Sequence, residues 1–243
     1  MAVRYHVQAA SDPGLCHEIN EDSVGHQLLE TGVVAVLSDG VGGKPGGAFA
    51  SRLVVEGMLQ GVGRGQADAE RLRQAAAAAN TALRAARADH EGYEEMAATV
   101  VALLATAGEA AVLHAGDSRC YRWRQGELRA LTRDDTVAEQ MVADGTISAA
   151  DAGRSPYQHL LTRAMGIQPE LTCSLACFPI LSGDLYLLCS DGLNKAIGDS
   201  AIAAVLAAAG DDAVALERLL TAANAAGGPD NVSIILVRCE EAE

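Results

Sequence analysis

The chain has 243 residues, of which 49% are hydrophobic and 21% charged, with 32 acidic against 18 basic side chains and a formal net charge of −14. That length can bury a substantial core, as one large domain or two small ones. The charge argues against a nucleic-acid partner, whose phosphates it would repel, and no run of about 18 apolar residues is present to span a bilayer.

In chain order, apolar runs of strand length predict strands over residues 4–10, 23–28 and 33–38. A Gly-rich loop, GVGGKPGG, then leads into two helical patterns, 48–59 and 67–87, the second carrying Leu72, Ala76, Ala79 and Leu83 at helical spacing. Strands follow over 98–105 and 109–115, and RCYRWRQGELRAL alternates and turns at Gly126 as a hairpin does. Residues 136–155 have helical character, with a capping box at Ser148 and Asp151. The last third reads as strands over 171–178 and 185–190, Ala-rich helices over 200–209 and 212–225, and a closing strand over 232–239. Strands in runs with helices in pairs predict an α+β fold in which sheets pack on each other with helices outside, not a doubly wound parallel sheet. No Pro/Ser-rich linker divides the chain, so residues 1–243 read as a single domain.

The Gly-rich loop fits neither nucleotide cradle. A Walker loop needs Ser or Thr after Lys44, where Pro45 stands, and glycine where Ser38 stands; the dinucleotide fingerprint needs its third glycine at Pro45. Six cysteines (Cys16, Cys120, Cys173, Cys177, Cys189 and Cys239) lie singly, without zinc or disulfide spacing, and the N-terminus lacks a signal peptide's apolar core; the expectation is a cytoplasmic protein with reduced thiols.

The acids carry the chemistry. Asp39, Asp117, Asp191 and Asp230 each stand at the edge of an apolar run, in LSDGVGG, LHAGDSR, LCSDGLN and GGPDNVS. A carboxylate at a strand end is held by the sheet yet reaches the rim, and a following glycine lets the backbone turn and expose its carbonyl. Such oxygen donors suit magnesium or manganese. A lone Asp-Gly is ordinarily a turn, which is the reading for Asp144-Gly145.

NEDS (20–23), SDGVGG (38–43), AATVVALL (97–104), HAGDSRCYRW (114–123), LTRAMG (161–166), LLCSDGLN (187–194) and GGPDNVSIILV (227–237), in that order, resemble the metal-dependent protein phosphatases of the 2C type, the PPM family. The resemblance implies a four-layer α-β-β-α sandwich and a bacterial serine/threonine phosphatase. It further implies two Mn2+ or Mg2+ ions held by Asp39, which bridges them, the Gly40 carbonyl, Asp191 and Asp230. Glu21 and Asp22 would hold metal-bound waters, and Asp117 would share a third, weaker ion with Asp191. A water bridging two divalent ions is a hydroxide near neutral pH and attacks phosphorus directly. Ser118, Ser190 and the cysteines then have no catalytic role, and Cys173 and Cys177 read as strand packing.

Two positions depart from the family. An arginine that grips the substrate phosphate is replaced by His17, five residues before Asp22, and a histidine seen after the first Asp-Gly in eukaryotic relatives is replaced by Val41. His17 is the candidate phosphate contact in its place. His6, His26 and His114 read as structural, His90 as loop surface, and His159 as adjoining the segment that resembles the family's flap. Three classes stay open: a phosphoprotein phosphatase opposing a cognate serine/threonine kinase, a pseudophosphatase that binds phosphoproteins without turnover, and a phosphatase of a small metabolite. The expected partners are phosphoproteins, without nucleic acid or membrane, for a monomeric chain.

Overall fold

The computed structural model describes residues 3–41, 46–63, 67–89, 93–106 and 108–241. Two antiparallel sheets face each other. One has the order β1 (Val3–Asp12), β11 (Val232–Glu241), β10 (Leu185–Cys189), β7 (Arg119–Arg124) and β8 (Glu127–Ala130). The other runs β2 (Asp22–Leu29), β3 (Gly32–Val41), β5 (Val100–Thr106), β6 (Glu109–Ala115) and β9 (Ser174–Pro179), with the short β4 (Ala97–Ala98) on the end of β3. Helices α1 (Gly47–Val62) and α2 (Ala69–Asp89) cover the second sheet, and α5 (Asp191–Ala208) and α6 (Asp212–Ala225) cover the first. Short helices α3 (Val137–Ala143) and α4 (Ala149–Ala152) lie in the connection between β8 and β9.

Three apolar layers follow from strand alternation. In β3, Val33, Ala35 and Leu37 point between the sheets, where they meet Tyr186, Leu188, Ile235 and Val237, while Val34 and Val36 point to α1 and α2. A strand buried on both faces needs apolar residues at every position, which is why this stretch shows no alternation in sequence. The third layer packs Leu187, Cys189, Ile234 and Leu236 against Leu193, Ile202, Leu216 and Leu219. The α-β-β-α order is the one expected.

Local differences have identifiable causes. Residues 171–173 stay outside β9, and the 185–190 strand ends at Cys189. The Ser148 hydroxyl does not cap α4; it donates to the Asp151 carboxylate, and the Asp151 N–H goes to the Ser148 carbonyl. Helix α5 consists of two helical segments that meet at a kink at Gly198 (φ 73°): the second corresponds to the helix expected over 200–209, and the first, opening at Asp191, lies where none is expected. Gly126 (φ 83°) does turn the hairpin, with Gln125 at φ 52° beside it. His90 and Gly42–Pro45 of the Gly-rich loop lie outside the described residues.

Candidate metal centre

The acids of interest come from both halves of the sandwich. Antiparallel pairing of β2 with β3 sets Asp22 directly opposite Asp39. Asp39 is fixed through its backbone: its N–H donates to Thr99 Oγ1 at 3.0 Å, and its carbonyl accepts from the Thr99 N–H at 2.8 Å. Thr99 Oγ1 also lies 2.7 Å from Ser118 Oγ, next to Asp117. Asp117 is buried in the loop after β6, where Gly116 adopts φ 113°. Asp191 opens α5 at the end of β10, where the helix dipole favours an anion.

Asn231 ties the remaining acids together. Its Oδ1 accepts from the Glu21 N–H at 2.8 Å, and its Nδ2 donates to the carbonyls of Pro13 (2.9 Å) and Ile19 (3.2 Å). The 13–21 loop is thus pinned against the one that carries Asp230. His17 Nε2 consequently stands 3.6 Å from Asp230 Oδ1, half exposed at the rim. Ser190 links the two sheets by donating to Asp22 Oδ2 at 2.7 Å while accepting from the Ser233 N–H at 2.9 Å.

Gly40 and Gly192 do not turn the chain, contrary to the sequence expectation. Gly40 stays in β3, where a Cβ would lie 2.4 Å from the Gly47 backbone, and Gly192 sits in the first turn of α5, where a Cβ would lie 2.1 Å from the Asn231 carbonyl. Both permit close approach rather than an unusual φ. Asp144-Gly145 is a turn, with Gly145 at φ 73°.

The electrostatics record the crowding. Burial, and then the charges of Asp191 and Asp230, push Asp22 up to about 7 despite the Ser190 hydrogen bond. Burial and the four neighbouring aspartates hold Asp39 well above the usual carboxylate range. Asp117 is pushed up to about 6 by burial and Asp191, against the pull of Lys195. Burial raises Asp230 and Glu21 as well. Asp22 Oδ1 and Asp191 Oδ1 are buried and accept no hydrogen bond. Among the described residues no three His, Cys, Asp or Glu side chains stand so that they could hold a metal ion as they are placed. Converging carboxylates that suppress each other's charge, with two orphaned buried oxygens, nevertheless fit hard divalent cations, which relieve both penalties.

Lys195 was not legible as part of this group. One turn along α5 from Asp191, it donates to Asp117 Oδ2 at 2.9 Å and to Asp191 Oδ2, with His159 Nδ1 at 3.2 Å. Burial works against its charge, but Asp191 and Asp117 hold its pKa above the ordinary lysine value. The signal available in sequence is the i, i+4 spacing from Asp191, which is hidden because no helix is expected between Asp191 and residue 200. Of the other histidines, His114 is buried against the Arg133 carbonyl (2.8 Å), whereas His6 and His26 are exposed on strands. Cys120, Cys189 and Cys239 are buried, while Cys177 is exposed on β9 rather than packed.

Residues 17–208 match the family model described as protein phosphatase 2C. The chain belongs to this family. Over 97% of its length it is 36% identical to the serine/threonine protein phosphatase PstP of Mycobacterium tuberculosis, and it spans 45% of that relative's length. The crystal structure of the M. tuberculosis phosphatase PstP/Ppp superposes with a TM-score of 0.89 at 34% identity, covering 99% of this chain and 100% of that one. The PstP catalytic domain in complex with 2 manganese ions gives a TM-score of 0.87 at 33% identity, with 98% and 100% covered. As a protein phosphatase 2C member, the chain carries its acid cluster at the meeting of the two sheets.

Proposed function

We propose that the chain hydrolyses phosphoserine and phosphothreonine on proteins, as a single catalytic domain dependent on two Mn2+ or Mg2+ ions. The observation that carries the reading is the group of five aspartates drawn from separate segments, with two orphaned buried oxygens, in a fold shared with PstP. Asp39, the Gly40 carbonyl, Asp191 and Asp230 would hold the ions. When bound, the ions supply an acidified water and positive charge against the phosphoryl oxygens.

The chain's own residues do the positioning. Ser190 occupies Asp22 Oδ2 and leaves Oδ1 for a water, and Asn231 sets the backbone of Glu21 so that its carboxylate stands at the edge of the same group. His17, half exposed beside Asp230, would donate one hydrogen bond to a substrate phosphate oxygen; a histidine offers one donor where an arginine offers two in parallel. No side chain is needed as nucleophile: Ser118 and Ser190 are both engaged in hydrogen bonds within the site.

Six unpaired cysteines, and the absence of any helix long and apolar enough to cross a membrane among the described residues, support a cytoplasmic setting. The substrates would be proteins phosphorylated by a cognate serine/threonine kinase. The test is phosphate release from a phosphothreonine peptide by manganese-loaded protein, set against protein stripped with a chelator. Loss of release on stripping is expected, and equal rates in both would overturn the reading.

A further inference from the structure

Among the described residues the cluster of acids contains a built-in cation, Lys195, and its hydrogen bonds are complete. An ammonium has three N–H donors. Lys195 Nζ has three acceptors: Asp117 Oδ2 at 2.9 Å, Asp191 Oδ2, and His159 Nδ1 at 3.2 Å. For His159 to accept at Nδ1, its proton must sit on Nε2. No donor on Lys195 is left over for a substrate oxygen. Asp191 is divided by this arrangement, with Oδ2 committed to the ammonium and Oδ1 buried without a partner.

Given the two-ion reading above, on which this inference rests, we propose that Lys195 is the resident cation of the Asp117–Asp191 pair and closes that pair to a third divalent ion. The chain therefore loads two ions rather than three. A third ion would have to displace an ammonium held by two carboxylates, both nearly excluded from solvent, on a side chain only 26% exposed. The displaced ammonium would remain anchored on α5 beside an incoming double charge, which is a repulsive arrangement. Because Lys195 lies one turn from Asp191 on the same helix, the contact is local and reforms without any rearrangement of the chain. Through His159 the same amine also fastens the segment after α4 to α5.

The test is the number of manganese ions bound per chain, by equilibrium dialysis with elemental analysis and by the electron paramagnetic resonance of free Mn2+. Wild type is expected to bind two. Lys195→Ala should bind a third, about tenfold or more weaker because few oxygens hold it, and adding Asp117→Asn should remove it again. Should Lys195→Ala fail to fold by circular dichroism, Asp117→Asn in the wild-type background decides: an unchanged count of two supports the proposal, and loss of one ion overturns it. Three ions in wild type, or only two in folded Lys195→Ala, would also overturn it. Three ions with peptide turnover intact would leave the phosphatase reading standing, whereas no bound manganese and no turnover would remove both.

Discussion

The tripeptide Ser-Asp-Gly occurs twice, and its two copies do different things. At Ser38-Asp39-Gly40 the chain stays extended to the end of β3, and the Ser38 hydroxyl donates to the Thr99 carbonyl at 2.6 Å. At Ser190-Asp191-Gly192 the chain leaves a strand and starts a helix, and the Ser190 hydroxyl donates across the sandwich to Asp22 at 2.7 Å. One serine secures the backbone that carries its own aspartate; the other secures an aspartate from the opposite half. Identical sequence therefore fixes the kind of group delivered but not the backbone that delivers it. Tertiary neighbours decide that, here Gly47 against Gly40 and Asn231 against Gly192.

The comparison can be tested hardest at the acids. Asp39→Asn and Asp191→Asn should each lower turnover of a phosphothreonine peptide by roughly a hundredfold or more, since both would ligate the ions. Calorimetry showing either variant binding manganese as tightly as wild type would refute that equivalence. The glycines come next. Gly40→Ala and Gly192→Ala should each destabilise the fold by about 1–3 kcal/mol through backbone overlap, read as a loss of several degrees in Tm. Gly153→Ala, where nothing lies within 4 Å of the added Cβ, should melt like wild type.

The serines should separate the two copies. Ser190→Ala strands Asp22 Oδ2 and the Ser233 N–H together and should cost about 1–3 kcal/mol, with reduced turnover, whereas Ser38→Ala removes one donor from a carbonyl and should cost about 1 kcal/mol with turnover retained. Equal losses of activity in both would erase the distinction. The smallest effect concerns protons. Asp22 and Asp117 rise from 3.8 to about 7 and about 6, so between about pH 4 and 7 the folded, metal-free protein binds protons that the unfolded chain has released. Stability then falls as pH rises through that window. In chelator, Tm should drop by a few degrees from pH 5.5 to 7.5, and saturating manganese should flatten the slope by taking the protons' place. A metal-free Tm independent of pH would mean that the acids are not buried together.

The layers were legible because burial on two faces writes itself as unbroken apolar runs: β3, β5 and β10 were read from such runs to within a few residues. The acids were legible as punctuation at the ends of those runs. What could not be read was side-chain partnership. Thr99 is one polar residue in an apolar run, and nothing in its neighbourhood announces that its hydroxyl holds Asp39. Asn231 follows Asp230 and looks like a turn residue, while its amide secures a loop more than 200 positions away. Lys195 is obscured because Ser-Asp-Gly reads locally as a turn, which conceals the first segment of α5, ahead of the kink at Gly198.

The pairing of β1 with β11 has a consequence in time. Every ladder partner of Val3–Asp12 lies between Val232 and Glu241, so β1 has no sheet neighbour until β11 has been made. The loop carrying His17 and Glu21 is held by Asn231, immediately before β11. Until that segment is made, the chain lacks Asp230 and the grip on the Glu21 loop. Closure over so long a sequence separation is intrinsically slow. A copy cut before Asp230 would consequently lose the sheet neighbour of both β1 and β10 together with one acid of the candidate centre, so that closing this sheet and completing the acid group are a single event.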